Sequence, residues 1–376
     1  MRVLHVIHIE AMGGAEKLLL QLLPALNEKV TTECLVINKK GIDKASSEIR
    51  VGLAAAGITV YSIEYTRLYS GAIRSGIKNI ISNGRYDLLH SHLKYADTFI
   101  AWLKFNRSIR TPVVTTVHSF SDKYESRYGI VATRAIYKSA YYWVTRFLYK
   151  QFEGLVLISE VLKKFVDESH LADGKVKAVI PHGYTPVMTG EKSPHDSQEI
   201  KLAVPGRLLY RKGQHFAIDA LQYIDIPGKK VTLHIYGDGP ARPDLQKQIG
   251  DSNRESQVFL HGYVTNLVQR LMEADVVLVP SLWEGFGLVF LDAFTAVTPV
   301  VTFDLPAANE IILHEKNGLL ATPGSSRSIA EQVTRLCVEP ALGQRLVAQG
   351  AIDLVTRFSM DRMISSYVSL YEKVIC

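Results

Sequence analysis

Short apolar runs alternate along the whole chain with longer stretches of helical period. In the first half, runs at 3–9, 32–37, 59–63, 88–90, 113–118 and 154–158 predict strands. In the second half the strands are predicted at 201–204, 231–236, 258–260, 276–280 and 299–303. Apolar positions at helical spacing lie between them, as at 15–26 and 214–221. Strands this continuously apolar belong to parallel sheets covered by helices on both faces. The pattern breaks once, in a polar loop at 185–199 that holds Pro186, Gly190, Ser193, Pro194 and Ser197, and then restarts. The expected fold is therefore α/β, with two Rossmann-like β/α/β domains at 1–185 and 186–360. Ligands in such sheets bind at the carboxyl ends of the strands, so the substrate is expected in a cleft that the two domains face across.

Composition supports this picture. A chain of 376 residues is too long for one ordinary core and suits two. Hydrophobic residues at 47% and charged residues at 21% describe a globular chain. Cys34, Cys337 and Cys376 are spaced for neither a zinc site nor a disulfide framework, which favours a reducing compartment. The opening Val3-Leu4-His5-Val6-Ile7 reads as a strand and not as a signal peptide. No apolar run approaches the roughly 18–20 residues of a membrane span. The expected location is cytoplasmic, with peripheral attachment to the inner face of the membrane as a further expectation.

Charge divides the chain. Residues 1–185 carry 25 Lys+Arg against 16 Asp+Glu, a balance of +9, whereas 186–376 carry 18 against 21, a balance of −3. A basic half points to an anionic partner. Nucleic acid is not expected, because there is no zinc finger, RNA-recognition pattern or long basic block.

Candidate chemistry gathers at predicted strand ends. Gly13 and Gly14 follow the first strand and open a helix, where a tight turn and free amides suit an anion. The spacing is not that of a dinucleotide fingerprint, which removes a dehydrogenase from consideration. After the first strand of the second half, Arg207 and Lys212 flank a loop and can converge on a diphosphate. Gly237 ends another strand at a sharp turn, and Tyr263 and Val264 follow a further glycine turn suited to a base. His261 alone reads as structural. The most informative stretch runs from Pro280 to Ala293. Glu284 stands at a strand end where a carboxylate accepts sugar hydroxyls. Gly285, Phe286, Gly287 and Leu288 then turn into a helix whose first amides suit phosphate oxygens. Asp292 lies eight residues beyond Glu284, about two turns along.

These segments together resemble the retaining glycosyltransferases of the GT-B fold, in particular family 4, which includes many bacterial polysaccharide and lipid glycosyltransferases. The resemblance runs over nearly the whole chain. It rests on Gly13-Gly14-Ala15-Glu16, Asp87-Leu88-Leu89-His90-Ser91-His92, Thr116-Val117-His118-Ser119, Ile158-Ser159, Ile180-Pro181-His182-Gly183, the loop from Gly206 to Gly213, and Glu284 to Asp292, in the family's order. It implies that Glu284 and His118 contact the donor sugar and that Arg207 and Lys212 bind the diphosphate. It further implies that Gly14 closes over the phosphates, that Ser159 and Gly237 join the donor site, and that Tyr263 and Val264 frame the base. Asp292 stands where the family usually has Glu, one methylene longer, and is carried to the ribose hydroxyls. The helical pattern at 361–376 is expected to return to the first domain.

The implied donor is a nucleoside diphosphate sugar, UDP-sugar ahead of GDP-sugar. The implied acceptor is a saccharide or lipid-linked saccharide of cell-surface polysaccharide or lipopolysaccharide biosynthesis. The sequence contains no Asp-x-Asp, so neither a metal nor any other cofactor is expected. A helical wheel over 134–152 puts Arg134, Lys138, Arg146 and Lys150 on one face with Tyr142 and Tyr149, and Ile136, Ala140, Val144, Phe147 and Leu148 on the other. The basic, tyrosine-bearing face is expected outward, either as the solvated side of a surface helix that packs its apolar side on the core or as a face toward an anionic membrane or lipid-linked acceptor. Two rival readings stand beside transfer: a nucleotide-sugar epimerase of related fold, and a non-catalytic sugar-nucleotide-binding subunit.

Overall fold

The computed structural model describes residues 1–10, 13–41, 43–67, 70–120, 125–126, 129–130, 134–185 and 198–376. The chain forms two compact units. Unit 1 spans 1–124, 131–185 and 360–376, and unit 2 spans 125–130 and 186–359.

Unit 1 is built on a parallel sheet of seven strands: β1 (Arg2–Ile9), β2 (Thr31–Lys39), β3 (Thr59–Tyr65), β4 (Leu88–His92), β5 (Val113–Val117), β8 (Gly154–Leu157) and β9 (Val176–Val179). A short antiparallel pair, β6 (Glu125–Ser126) and β7 (Gly129–Ile130), interrupts the numbering and lies outside unit 1. The sheet order is β3-β2-β1-β4-β5-β8-β9. The order therefore reverses between β1 and β4. Strands β1, β4 and β5 are buried almost end to end, which is why their sequences read as unbroken apolar runs.

Helices α1 (Gly14–Asn27), α2 (Asp43–Ala55), α3 (Gly71–Gly84), α4 (Lys94–Phe105), α5 (Ala140–Lys150) and α6 (Glu160–Glu168) connect these strands. The last helix of the chain, Met360–Ile375, belongs to this unit, and its Met363, Ile364, Tyr367 and Tyr371 enter the same core as Val3, Ile7 and Leu19. Tyr371 reaches His90 Nδ1 with its hydroxyl at 2.5 Å.

Unit 2 repeats the plan with six parallel strands: β10 (Glu199–Pro205), β11 (Lys230–Tyr236), β12 (Val258–Gly262), β13 (Val276–Val279), β14 (Val300–Phe303) and β15 (Leu319–Ala321). The order β12-β11-β10-β13-β14-β15 reverses between β10 and β13. Helices α7 (Gln214–Ala220), α8 (Arg242–Asp251), α9 (Leu267–Met272), α10 (Leu288–Thr295), α11 (Pro306–Asn309), α12 (Ser326–Val338) and α13 (Pro340–Thr356) accompany the sheet, and the final helix of unit 1 is α14. A second core forms around Leu202, Val204, Leu233, Ile235, Leu278 and Phe303. Among the described residues, no helix is long and apolar enough to cross a membrane.

Candidate active site

In unit 2 the reversal of strand order brings the ends of β10 and β13 side by side, and a doubly wound sheet offers its ligand site at such a point. The loop after β10 ends in a single 3-10 turn at Tyr210–Lys212. Gly213 closes that turn at φ 72°, and a Cβ there would lie 1.8 Å from the carbonyl oxygen of Pro280. Only glycine lets the two loops approach so closely. Leu282 N donates to Arg211 O at 2.7 Å and ties them together.

Lys212 Nζ is thereby brought to 2.6 and 2.7 Å from the two carboxylate oxygens of Glu284. Ser281 Oγ donates to Glu284 Oε1 at 2.7 Å. Glu284 is 9% exposed, so its charge is held by these two partners more than by water. Sequence reasoning missed Ser281. Its only signal is its place three residues before Glu284 in the same turn. Trp283, also buried, has no hydrogen-bond partner for its Nε1 among the described residues.

Beyond Glu284 the chain turns into α10 through Gly287, at φ 95°. A Cβ there would meet the ring of Phe290 at 2.7 Å. Gly285, Gly287 and Leu288 are half-buried, Phe286 is buried, and Asp292 lies half-buried in the second turn of α10. Arg207 is exposed. The neighbouring strand ends lock onto this loop: Gly206 N donates to Tyr236 O at 2.9 Å, Leu208 N to Asp238 O at 3.0 Å, and Gly237 N to Gly262 O at 2.8 Å. Tyr263 follows at 65% exposure, with Val264 half-buried. His261 bonds to His234 at 2.9 Å and stacks on Tyr236, a structural role.

Unit 1 holds the remaining candidates. Gly13 is the residue before α1, and its N–H donates to Glu16 Oε2 at 3.0 Å. Glu16 of the Gly-Gly-Ala-Glu run is thus a helix cap, and burial raises its pKa. Gly14 is the first residue of that helix. Ser159 is buried and accepts from Leu162 N at 3.3 Å, so its hydroxyl caps α6.

His118 follows β5 directly and lines a pocket of about 320 Å³ with Lys94, Asp97, Ser119, Tyr141 and Tyr149. Burial lowers its pKa to about 4, and its Nε2 has no hydrogen-bond partner among the described residues. Asp97 in the same pocket is pushed up to about 6 by burial, while Thr115 donates to it at 2.7 Å.

Behind His118 runs a row of imidazoles that sequence reading did not join. His92 lies 6.0 Å from His118 between ring centroids, and His90 lies 4.2 Å from His92. His5 Nδ1 is 2.9 Å from His92 Nε2. His5, His90 and His92 offer ligand atoms within 4.8 Å of one another, a density seen in metal sites. Here, however, His92 stacks near-parallel on both His5 and His90, so the ring planes do not converge on a point. Both nitrogens of His90 are engaged, by Tyr371 and Thr116. Burial lowers the pKa of every member, to about 3 at His5. The row is a buried, stacked core element in which His5 bonds to His92 and His90 to Tyr371 and Thr116, while His5 Nε2 and His92 Nδ1 have no hydrogen-bond partner among the described residues.

The outward face expected of 134–152 is corrected. Tyr142 and Tyr149 are buried at 2% and 5%, and Tyr142 donates its hydroxyl to Ser169 O at 2.9 Å. Arg146 turns onto the carbonyl of His170. Trp143, Val144 and Phe147 stand in solvent instead, with Ala140, Lys138 and Lys150 exposed beside them. The tyrosine hydroxyl finds a backbone acceptor, so the ring can enter the core, and the apolar side chains are left outside. The side chain of Arg134 lies outside the described residues.

Comparison with known proteins decides the family. Residues 12–186 match the profile Glycosyltransferase Family 4, and residues 189–352 match Glycosyl transferases group 1. The chain belongs to the family 4 glycosyltransferases of the GT-B fold. The alpha-D-kanosaminyltransferase of Streptomyces kanamyceticus is 28% identical over 181 residues, 48% of this chain and 47% of that protein. The match therefore spans about half the length of that relative. A phosphatidyl-myo-inositol mannosyltransferase of Mycobacterium leprae is 25% identical over 369 residues, covering 96% and 93%. Among solved structures, Anabaena HepE in complex with UDP and glucose matches with a TM-score of 0.79 at 21% identity, over 99% of this chain and 100% of that one. For this family 4 chain, that likeness establishes the fold.

Proposed function

We propose that the protein is a retaining, metal-independent glycosyltransferase. It moves a hexosyl or N-acetylhexosaminyl group from a nucleoside diphosphate sugar, UDP-linked in preference to GDP-linked, to a saccharide or lipid-linked saccharide. Cell-surface polysaccharide synthesis is the setting that the family favours. The observation that carries the reading is the Lys212–Glu284–Ser281 cluster at the strand-order reversal of unit 2.

The chemistry follows from the charges. The bond between the anomeric carbon and the β-phosphate oxygen breaks, and negative charge grows on the leaving diphosphate. Lys212, Arg207 and the amides where Gly287 opens α10 are the groups that offset it, and preorganised electrostatics of this kind is commonly the largest catalytic contribution. Glu284 accepts from hydroxyls of the donor sugar, and Asp292 from the ribose. Tyr263 and Val264 frame the base. His118, neutral and with Nε2 open, is the unit 1 residue assigned to the donor sugar. The acceptor hydroxyl attacks the face that the leaving group vacates, forms the new glycosidic bond, and passes its proton to a phosphate oxygen. Among the described residues Glu284 is the one carboxylate assigned to the donor sugar, whereas a retaining hydrolase needs a pair.

The test is a donor panel incubated with candidate acceptors, with the anomeric proton of the product followed by NMR. A product with the donor's configuration, formed only when acceptor is present, supports the reading. An epimerised nucleotide sugar formed without acceptor, or a product of inverted configuration, overturns it.

A further inference from the structure

Helices α4 and α5 pack together in unit 1 and leave an apolar surface uncovered. Trp102, Phe105, Trp143, Val144 and Phe147 are exposed by 44%, 56%, 57%, 47% and 38%. Three of them form one ridge, with ring centroids 6.3 Å apart for Trp102 and Phe105 and 5.2 Å apart for Phe105 and Phe147. A groove of about 310 Å³ adjoins it, walled by Phe99, Trp102, Val144 and Phe147, with Arg74 as its charged member. The Arg74 guanidinium lies 5.7 Å from the centroid of the Trp102 ring. Soluble proteins rarely leave so many large side chains clustered in water without a partner for them.

Charge identifies what covers this surface. Arg74 and Lys78 on α3, Lys94 and Lys104 on α4, Arg107 and Arg110 just beyond it, and Arg146 and Lys150 on α5 give eight cations. The one acid on these segments is Asp97, which is buried against Thr115. Lys104 is paired with Glu153 at 2.8 Å. Lys78, Lys94, Arg107, Arg110 and Lys150 are exposed. A second copy docking face to face would set these cations against their own kind. An aromatic ridge with Arg74 against it, on segments that carry cations and no exposed acid, fits a surface that is anionic at its face and hydrocarbon beneath, which is the interface of a lipid leaflet.

We infer that the α4–α5 surface docks the protein on an anionic lipid bilayer. Trp102, Phe105 and Phe147 enter the boundary between headgroups and acyl chains. The surrounding lysines and arginines pair with lipid phosphates, and the groove beside Arg74 receives one acyl chain. The inference concerns where the protein works and stands apart from the transfer chemistry, so its test needs neither donor nor acceptor.

The full chain is sedimented with vesicles of phosphatidylcholine alone or of phosphatidylcholine with phosphatidylglycerol. The expected result is binding stronger by at least about tenfold on the anionic vesicles, falling steeply with added salt. The double variant Phe105→Glu/Phe147→Glu, at exposed positions, should lose that binding while keeping its circular dichroism and melting temperature. Brominated lipid should quench tryptophan fluorescence in the wild type, and less in Trp102→Phe. Equal binding to both vesicles, no binding to either, or wild-type binding by the double variant would overturn the inference. So would a dimer in sedimentation velocity that the same double variant dissolves, because a second copy would then be the occupant.

Discussion

Lys212 Nζ lies 2.6 and 2.7 Å from the two carboxylate oxygens of Glu284, across 72 residues of sequence. The pair exists because β10 and β13 are neighbours at the point where the strand order of unit 2 reverses. It sets a cation, a carboxylate and a glycine-opened helix in one place.

Removing either cation of this site should slow transfer by about two orders of magnitude or more, as loss of a transition-state charge contact does. The two variants should part in stability. Lys212→Ala leaves the buried Glu284 carboxylate without its counter-ion and should lower the melting temperature. Arg207→Ala removes an exposed side chain and should leave the melting temperature unchanged. Initial rates and thermal melts of both proteins check this, and near-normal turnover in both would remove the diphosphate assignment.

Ser281→Ala should misplace Glu284 without emptying the site. A hydrogen bond to a charged group contributes about 1.5–3 kcal/mol, so kcat/KM for the donor should fall by about tenfold or more. Ser281→Thr, which keeps the hydroxyl, should recover part of it. A Ser281→Ala enzyme with unaltered kcat/KM would make the 2.7 Å contact to Glu284 incidental.

Asp292 is assigned to ribose, a part of the donor that does not change during the reaction. Asp292→Ala should therefore raise KM for the nucleotide sugar by about ten- to a hundredfold and leave kcat near its starting value. A loss confined to kcat would move Asp292 out of the ribose role and into the chemical step.

Most of the architecture was legible in the sequence, and the failures have physical causes. The apolar runs at 3–9 and 32–37 announced β1 and β2 because both faces of those strands are covered. Beside the two-residue strands β6 and β7, two strands of the parallel sheets escaped notice. Val176–Val179 is half-buried along its length at the edge of its sheet, and Leu319–Ala321 has only three residues. Lys212 and Glu284 were each picked out at a strand end, but their bond depends on sheet order, which local periodicity does not carry. Tyr142 was turned the wrong way because a wheel scores a tyrosine as polar, whereas Ser169 O satisfies its hydroxyl inside the core.

Acid should destabilise unit 1 as the pH falls below about 6.5. Burial lowers the pKa to about 3 at His5, about 4 at His118 and about 3 at His182, from an unfolded value of about 6.5. The folded chain thus refuses protons that the unfolded chain accepts. Stability is fully present above about pH 6.5 and declines as pH falls toward 4, by about 1.4 kcal/mol per pH unit for each histidine. Asp97, raised to about 6, acts with the opposite sign between about pH 4 and 6 and offsets one of the three. Melting temperature measured from pH 7.5 to 4.5 should drop steadily below pH 6.5. A flat profile over that range would mean that the imidazoles are not held neutral.

Under the proposed function, unit 2 binds a nucleoside diphosphate sugar through Arg207, Lys212 and Glu284. Thermal shift with UDP, GDP and their sugars, on the wild type and on Arg207→Ala, tests it most directly. A ligand at about a hundred times its Kd adds about 2.7 kcal/mol of stability. An upward shift of several degrees is expected in the wild type with at least one of these ligands, and little or none in Arg207→Ala. No shift with any of them, or an equal shift in both proteins, would contradict it.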